Sequence, residues 1–201
     1  LKLWDLFHSN DMRRDLTMAP YQIDAKDAYI YWKDNQIVQR ACGKYRREWE
    51  TLTPRHKNYT QENYPILRYA DVLLMLAEAE NEVNQSPTIL AYEAINTVRE
   101  RAGIEPLSGL SYEEFRQEIR DERGRELTFE SLRRYDLVRW GIYTEAIQAL
   151  GESTYDGRWP GGSNYSTARA FAERTQKKHE YLPIPLKELA INTELKQNPL
   201  W

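Results

Sequence analysis

Tyr69-Ala70-Asp71-Val72-Leu73-Leu74-Met75-Leu76-Ala77-Glu78-Ala79-Glu80-Asn81-Glu82-Val83 is the run whose period decides the fold. Tyr69, Val72, Leu73, Leu76, Ala79 and Val83 recur with the helical period, which predicts one apolar face of an amphipathic helix. Leu74, Met75 and Ala77 make the other side apolar as well, so the helix is expected to be covered from more than one direction. Gln85-Ser86-Pro87 then turns the chain, and Ala91, Ala94, Ile95, Val98 and Ala102 form the stripe of a second helix. Small alanines on that stripe permit close approach to the first helix. Gly103 stands where a left-handed cap is needed, and Pro106 blocks continuation.

Toward the carboxy terminus, Ser111 and Glu114 have the spacing of a capping box. They open a third helix with Tyr112, Phe115, Ile119 and Leu127 inward, running to near Thr128. A further helix holds Leu132, Tyr135, Asp136, Val138 and Arg139 and stops at Gly141. Two helix pairs in succession resemble tetratricopeptide-type stacking, although the usual repeat consensus is hardly visible. Stacked pairs need neighbours to cover their ends, which suggests that the native protein is longer.

On the other side of Tyr69, residues 1–65 read as irregular. Thr53-Pro54 and Tyr64-Pro65 mark breaks, and Tyr29-Ile30-Tyr31-Trp32 and Gln36-Ile37-Val38 are the candidates for brief strands. A loop-rich segment of this length is expected to carry function or to pack on something larger. Beyond Leu150, Tyr155, Gly157, Trp159, Pro160, Gly161, Gly162 and Tyr165 have loop composition. Leu182-Pro183-Ile184-Pro185 reads as an extended stretch leading into a short helical turn. The organisation expected is therefore an irregular segment 1–65, helix pairs over 66–141, and an aromatic loop with a carboxy-terminal segment over 142–201.

Composition narrows the function classes. With 28 basic against 31 acidic residues over 201, and the signs interspersed, nothing in the charge suggests nucleic acid or a membrane-binding patch. No stretch of about 18 apolar residues is present to span a bilayer. The amino terminus lacks the basic and apolar segments of a signal peptide. Either the protein is cytoplasmic or its amino-terminal portion is missing from this sequence. Cys42 is the single cysteine, which excludes an internal disulfide and a thiolate metal cluster, and His8, His56 and His179 offer it no companion motif. Neither a phosphate loop, a dinucleotide glycine motif nor a zinc spacing occurs, so no cofactor and no metal are expected.

From Tyr64 onward the motifs resemble those of the SusD/RagB family. Tyr64-Pro65-Ile66-Leu67-Arg68-Tyr69-Ala70-Asp71 with the helix that follows is one. Ala91-Tyr92-Glu93-Ala94-Ile95-Asn96 with Val98-Arg99-Glu100-Arg101-Ala102-Gly103 is a second. The charged run from Ile119 to Gly141 and the ending Leu182-Pro183-Ile184-Pro185 with Asn192 and Leu195-Lys196-Gln197-Asn198-Pro199 complete the set. The resemblance implies a mostly α fold, a superhelix of tetratricopeptide-like pairs with long irregular loops that carry the ligand. It also implies an outer-membrane, cell-surface lipoprotein that binds an oligosaccharide or polysaccharide and passes it to a SusC-type TonB-dependent transporter. Membrane attachment would come only through a lipid anchor that this sequence does not contain. Cys42 lies inside the chain and does not match that anchor position, and the first helix pairs of the family are likewise missing.

Two features compete for the role of a site. Glu122, Glu126 and Glu130 stand four apart in the charged run, and a glycoside hydrolase needs two carboxylates. Side chains at that spacing project the same way rather than across a substrate. Asp121 with Arg125 and Glu130 with Arg134 instead suit ion pairs worth about 0.2–0.5 kcal/mol each on an exposed helix, Arg123 and Arg133 offer further partners, and the run is read as a structural ion network between helices. Arg68 and Asp71 are read as structural too, an acid in the first turn suiting the helix dipole. The aromatic loops are the better binding candidates, since six Trp and 14 Tyr against four Phe means that most rings carry a polar handle. A flat ring stacks on the C–H face of a sugar while amides and carboxylates bond its hydroxyls. Tyr29, Tyr31, Trp32 and Asp34 form one such cluster, and Tyr155, Asp156, Trp159, Asn164 and Tyr165 a second. Catalytic residues are not expected; a helical scaffold that binds only protein is the alternative function.

Overall fold

The computed structural model describes residues 2–24, 26–54, 59–154 and 163–201, the side chains of Arg47 and of residues 163–166 excepted. It is mostly helical and divides into two compact units, Leu1–Arg133 and Arg134–Trp201.

The first unit opens with two short helices, α1 (Lys2–Leu6) and α2 (Arg13–Thr17). Four brief strands follow as two antiparallel pairs. β1 (Met18–Ala19) pairs with β4 (Ala41–Cys42), and β2 (Tyr21–Ile23) forms a hairpin with β3 (Tyr29–Tyr31). The strand expected over Tyr29–Trp32 is present as Tyr29–Tyr31. Gln36–Val38, the other candidate strand, falls instead at a turn of 3-10 helix, Ile37–Gln39. Asp24 closes the hairpin by accepting from the Lys26 and Ala28 amides at 2.7 and 3.0 Å, an aspartate turn that substitutes for a backbone one. At the end of β4 the chain passes so close to α2 that a Cβ on Gly43 would lie 2.0 Å from the Leu16 carbonyl oxygen. Only glycine fits there.

Helices α3 (Tyr69–Asn84), α4 (Ile89–Arg101) and α5 (Tyr112–Glu126) form the core of this unit. The α4 stripe is as expected, with Ala91, Ala94, Ile95, Val98 and Ala102 all buried. They meet Leu74 and Ala77 of α3 and Phe115 and Ile119 of α5. The Tyr92 ring packs edge-on against Phe115 at 4.9 Å, and its hydroxyl accepts from the Leu110 amide at 2.7 Å. Gly103 takes the left-handed conformation (φ +74°), and Ser111 and Glu114 complete the reciprocal cap of α5. For α3 the expected face is corrected. Tyr69 and Val83 are 73% and 81% exposed, while the buried line runs Asp71, Leu74, Ala77, Asn81. Two polar residues on that line, Asp71 paired with Arg123 and Asn81 donating to the Tyr112 carbonyl, hide it from a count of apolar positions.

The second unit contains α7 (Tyr143–Ser153) and α8 (Ser163–Arg174), preceded by α6 (Arg133–Arg139). The stretch beyond Leu150 was read as loop; residues up to Ser153 and from Ser163 are helical. At the crossing of α7 and α8 a Cβ on Gly151 would come within 2.5 Å of the Ala172 Cβ, so the two backbones meet there. Leu182–Pro185 is extended and leads into α9 (Leu186–Ile191), as expected. The Gln197 amide clamps it from both sides, accepting from Ile184 N–H at 2.8 Å and donating to Ile184 O at 3.0 Å.

Candidate functional site

The hairpin sets one aromatic face by strand alternation. Tyr21 lies opposite Tyr31 in the register, and Tyr29 is two residues along on the same side. The Tyr21 ring meets Tyr29 at 5.0 Å and Tyr31 at 5.4 Å. Glu48 ties them down. Its two oxygens accept from the Tyr21 and Tyr29 hydroxyls, the latter at 3.0 Å. Burial works against the Glu48 charge, but these hydrogen bonds and Arg46 outweigh it and hold the carboxyl below its ordinary range. Arg46 donates to the Tyr21 hydroxyl at 2.7 Å and to the carbonyls of Gly43, Leu16 and Asp15 at 2.8–3.0 Å. Its guanidinium lies over both Tyr21 and Trp49, at 5.2 and 5.4 Å.

Tyr29, Tyr31 and Trp49 remain 50%, 67% and 51% exposed around this fixed centre. Trp49 also borders a cleft of about 380 Å³ whose walls include Tyr45, Glu62 and Asn63 and whose floor includes Arg13, Lys44 and Arg68. The Tyr45 hydroxyl is buried there without a protein partner among the described residues. Aromatic faces beside an amide, a carboxylate and a free hydroxyl are the chemistry that grips a polyol ring.

Of the residues expected at the site, Tyr29 and Tyr31 are brought together. Trp32 follows on the opposite side of the strand and is half-buried, with its indole N–H unpartnered. Asp34 is exposed, and among the described residues no hydrogen bond or ion pair holds it. Asn164 and Tyr165 belong to α8, where only the backbone is described. Tyr155, Asp156 and Trp159 lie outside the described residues. Sequence reasoning missed Tyr21, Glu48 and Trp49. The signal available was the hairpin itself, whose Asp24-to-Asp27 turn fixes Tyr21 opposite Tyr31.

Below the cleft lies the charged run of α5, and its pairing differs from expectation. Arg13 donates to Asp11, Glu122 (2.6 Å) and Glu126 (2.9 Å). Arg99 and Arg125 reach the other Glu122 oxygen at 3.1 and 2.8 Å. Arg68, the residue before α3, forks onto Glu126 and Glu130 at 2.7–2.9 Å, and Lys44 also binds Glu130. Glu130 is aimed inward by left-handed residues on either side, Phe129 and Ser131. The surface pairs expected from spacing are not the ones formed. Asp121 accepts from Gln117, Arg125 turns to Glu122, and Arg134 donates to the His179 carbonyl. Most partners of Glu122, Glu126 and Glu130 come from elsewhere in the chain, and Arg125 joins them from the same helix with two nitrogens on one Glu122 oxygen.

This arrangement opposes acid catalysis. A general acid needs a carboxyl raised above its ordinary pKa. Burial pushes Glu126 that way, yet the Arg13 hydrogen bond and the charges of Arg101, Arg13 and Arg68 hold it below. Among the described residues no group of three or more His, Cys, Asp or Glu side chains is arranged to hold a metal ion. No described helix is long and apolar enough to cross a membrane.

Comparison with known proteins supplies the context. The model of the SusD family matches residues 5–201. SusD-like protein P25 of Formosa agariphila is 41% identical over 138 residues, 67% of this chain and 23% of its own length. The starch-binding protein SusD of Bacteroides thetaiotaomicron is 30% identical over 143 residues, 71% of this chain and 22% of its own. The crystal structure of a SusD homolog from the same organism superposes with a TM-score of 0.80 at 33% identity, covering 96% of this chain and 41% of that one. The chain thus spans under a quarter of these curated relatives and about two fifths of the solved homolog.

Proposed function

The chain belongs to the SusD family, and from that premise we propose that it captures an oligosaccharide at the Tyr29–Tyr31–Trp49 face and passes it, unaltered, to a TonB-dependent outer-membrane transporter. SusD family proteins are outer-membrane, cell-surface proteins that bind rather than transform their ligands. The same location is inferred for this protein, with a SusC-type transporter as its partner. The observation that carries the assignment of the face is the fixed aromatic trio. Three half-exposed rings stand around Glu48 and Arg46, so they are presented without the entropy loss of ordering them on binding. Asp34 and, from the opposite side of the strand, Trp32 are proposed as further contacts, and Tyr155, Asp156, Trp159, Asn164 and Tyr165 as a second contact region. Helix pairs over 66–141 serve as the scaffold for the irregular segment.

Calorimetric titration with maltoheptaose and a panel of other neutral oligosaccharides tests the proposal. At least one should bind, and Tyr31→Ala or Trp49→Ala should each weaken it about tenfold or more, with the sugar recovered uncleaved. Such a loss equals roughly 1.4 kcal/mol, within the range for one aromatic contact. Unchanged affinity in the double variant would sink the face assignment. Absence of any saccharide binding would favour the helical protein-binding scaffold.

A further inference from the structure

The second unit has an aromatic cleft of its own, of about 310 Å³. Tyr143, Phe171, Tyr181 and Trp201 supply its flat surfaces, and Arg134, Arg174 and His179 supply its charge and hydrogen-bond donors. Among the described residues no Asp or Glu side chain lines it. Two acids flank lining residues in sequence: Glu180 is buried and accepts from Lys177 at 2.8 Å and from the Thr144 hydroxyl at 3.3 Å, and Glu173, next to Arg174, is exposed and outside the lining. Arg174 is exposed, and among the described residues nothing pairs with it. Arg134 lies 4.7 Å over the Tyr143 ring and gives one N–H to the His179 carbonyl at 3.0 Å, which leaves further donors of its planar fork unspent.

The walls are fixed before any ligand arrives. The Trp201 indole N–H donates to the carbonyls of Lys178 and Tyr181 at 3.0 and 3.1 Å, and the His179 ring meets its face edge-on at 5.5 Å. His179 Nδ1 accepts from the Gln176 amide at 2.9 Å, so the proton of the neutral ring sits on Nε2 and can be donated. The Leu182 carbonyl is held by the Asn198 amide at 2.6 Å and Ile184 by Gln197. Phe171, Tyr181 and Leu182 nevertheless stay exposed, an apolar surface lined by cationic side chains and, among the described residues, by no Asp or Glu.

This charge asymmetry separates the cleft from the hairpin face, where Glu48 and Glu62 stand among the cations and suit neutral hydroxyls. We propose that the cleft of the second unit is a separate binding site for an anionic sugar residue. The C–H face of the ring stacks on Phe171, and its carboxylate or sulfate is taken by Arg174 and Arg134. Arginine suits either group because its planar fork matches two oxygens at once. The site does not depend on the Tyr29–Tyr31–Trp49 assignment, since no residue is shared.

The test is calorimetric titration of the full chain with tri-galacturonate, with a sulfated galactan trisaccharide, and with maltotriose as neutral control. At least one anionic probe should bind tenfold or more tightly than maltotriose, and the stronger of the two identifies carboxylate or sulfate as the group read. Arg174→Gln, a change on an exposed side chain that should leave folding intact, should remove most of that preference. Trp49→Ala should leave the affinity for the anionic probe unchanged. Equal affinity for the charged and neutral trisaccharides overturns the proposal, as does an anionic preference that persists in Arg174→Gln. An anionic preference abolished by Trp49→Ala would also overturn it, by placing the binding at the hairpin face.

Discussion

The buried residues in the two halves of α5 are held by opposite means. In the first half Phe115 and Ile119 sit among the alanines and leucines of α3 and α4. In the second half Glu122, Arg123, Arg125 and Glu126 are just as inaccessible, with Glu122 at 0% exposure. Apolar burial is non-directional, so the first half needs only volume and patterning. Buried charge is stable only while each member keeps its partners, so the second half depends on residues far along the chain: Asp11, Arg13, Arg68, Asp71 and Arg99. One helix therefore contains a tolerant region and an intolerant one, and several experiments can break or sharpen that contrast.

Acid should have the largest effect, because it acts on several members of the charged half together. Burial would raise the Asp11 and Glu126 carboxyls, but hydrogen bonds and charge from Arg13 and its neighbours hold both below their ordinary range. The folded pKa therefore lies below the unfolded one, and as pH falls the unfolded chain takes up protons first. The stability these groups contribute is present above about pH 4–5 and is lost below it. Urea midpoints followed by circular dichroism should fall steadily from about pH 6 to pH 3. A pH-independent midpoint would contradict the seam's role.

Glu122→Gln comes next. It conserves shape while leaving Arg13, Arg99 and Arg125 without their shared counter-charge, and should cost about 3–5 kcal/mol in urea unfolding. A loss under about 1 kcal/mol would mean that the charges are replaceable and the contrast false. Smaller still, Ile119→Val in the apolar half should cost about 0.5–1.5 kcal/mol at either pH. Asp121→Asn, on a half-buried side chain bonded only to Gln117, should change stability by less than about 0.5 kcal/mol.

The same contrast explains what could be read from sequence. The α4 stripe, the Ser111 cap and the Gly103 stop were legible because local period and capping chemistry dictate them. On α3 the polar Asp71 and Asn81 occupy the buried line, so hydrophobicity pointed to Tyr69 and Val83 instead. Their burial is a tertiary fact, supplied by Arg123 and the Tyr112 carbonyl. The ion network between helices was legible in the charged run of α5, but its pairs were assigned by helical spacing, whereas Glu122 and Glu126 take partners 23 and 113 residues away. The end of helix α7 reads as loop because Gly151 and the glycine-rich run beyond it dominate the local composition. At the candidate site, Tyr29 and Tyr31 were legible as an aromatic pair, whereas Tyr21 and Trp49 join them only through hairpin register and the Arg46 clamp.

The bond from Arg13 to Glu126 also imposes an order in time. It joins positions 113 residues apart, and a ribosome adding about 5–20 residues per second makes the second roughly 5–20 s after the first. Throughout that interval Arg13 and Arg68 must remain solvated or find temporary partners, while α3 and α4 can already dock through their alanines. Closing the charged seam would then be the final step of assembly in the first unit, and a chain interrupted before residue 122 would present a cluster of uncompensated arginines to whatever anion or chaperone is nearby.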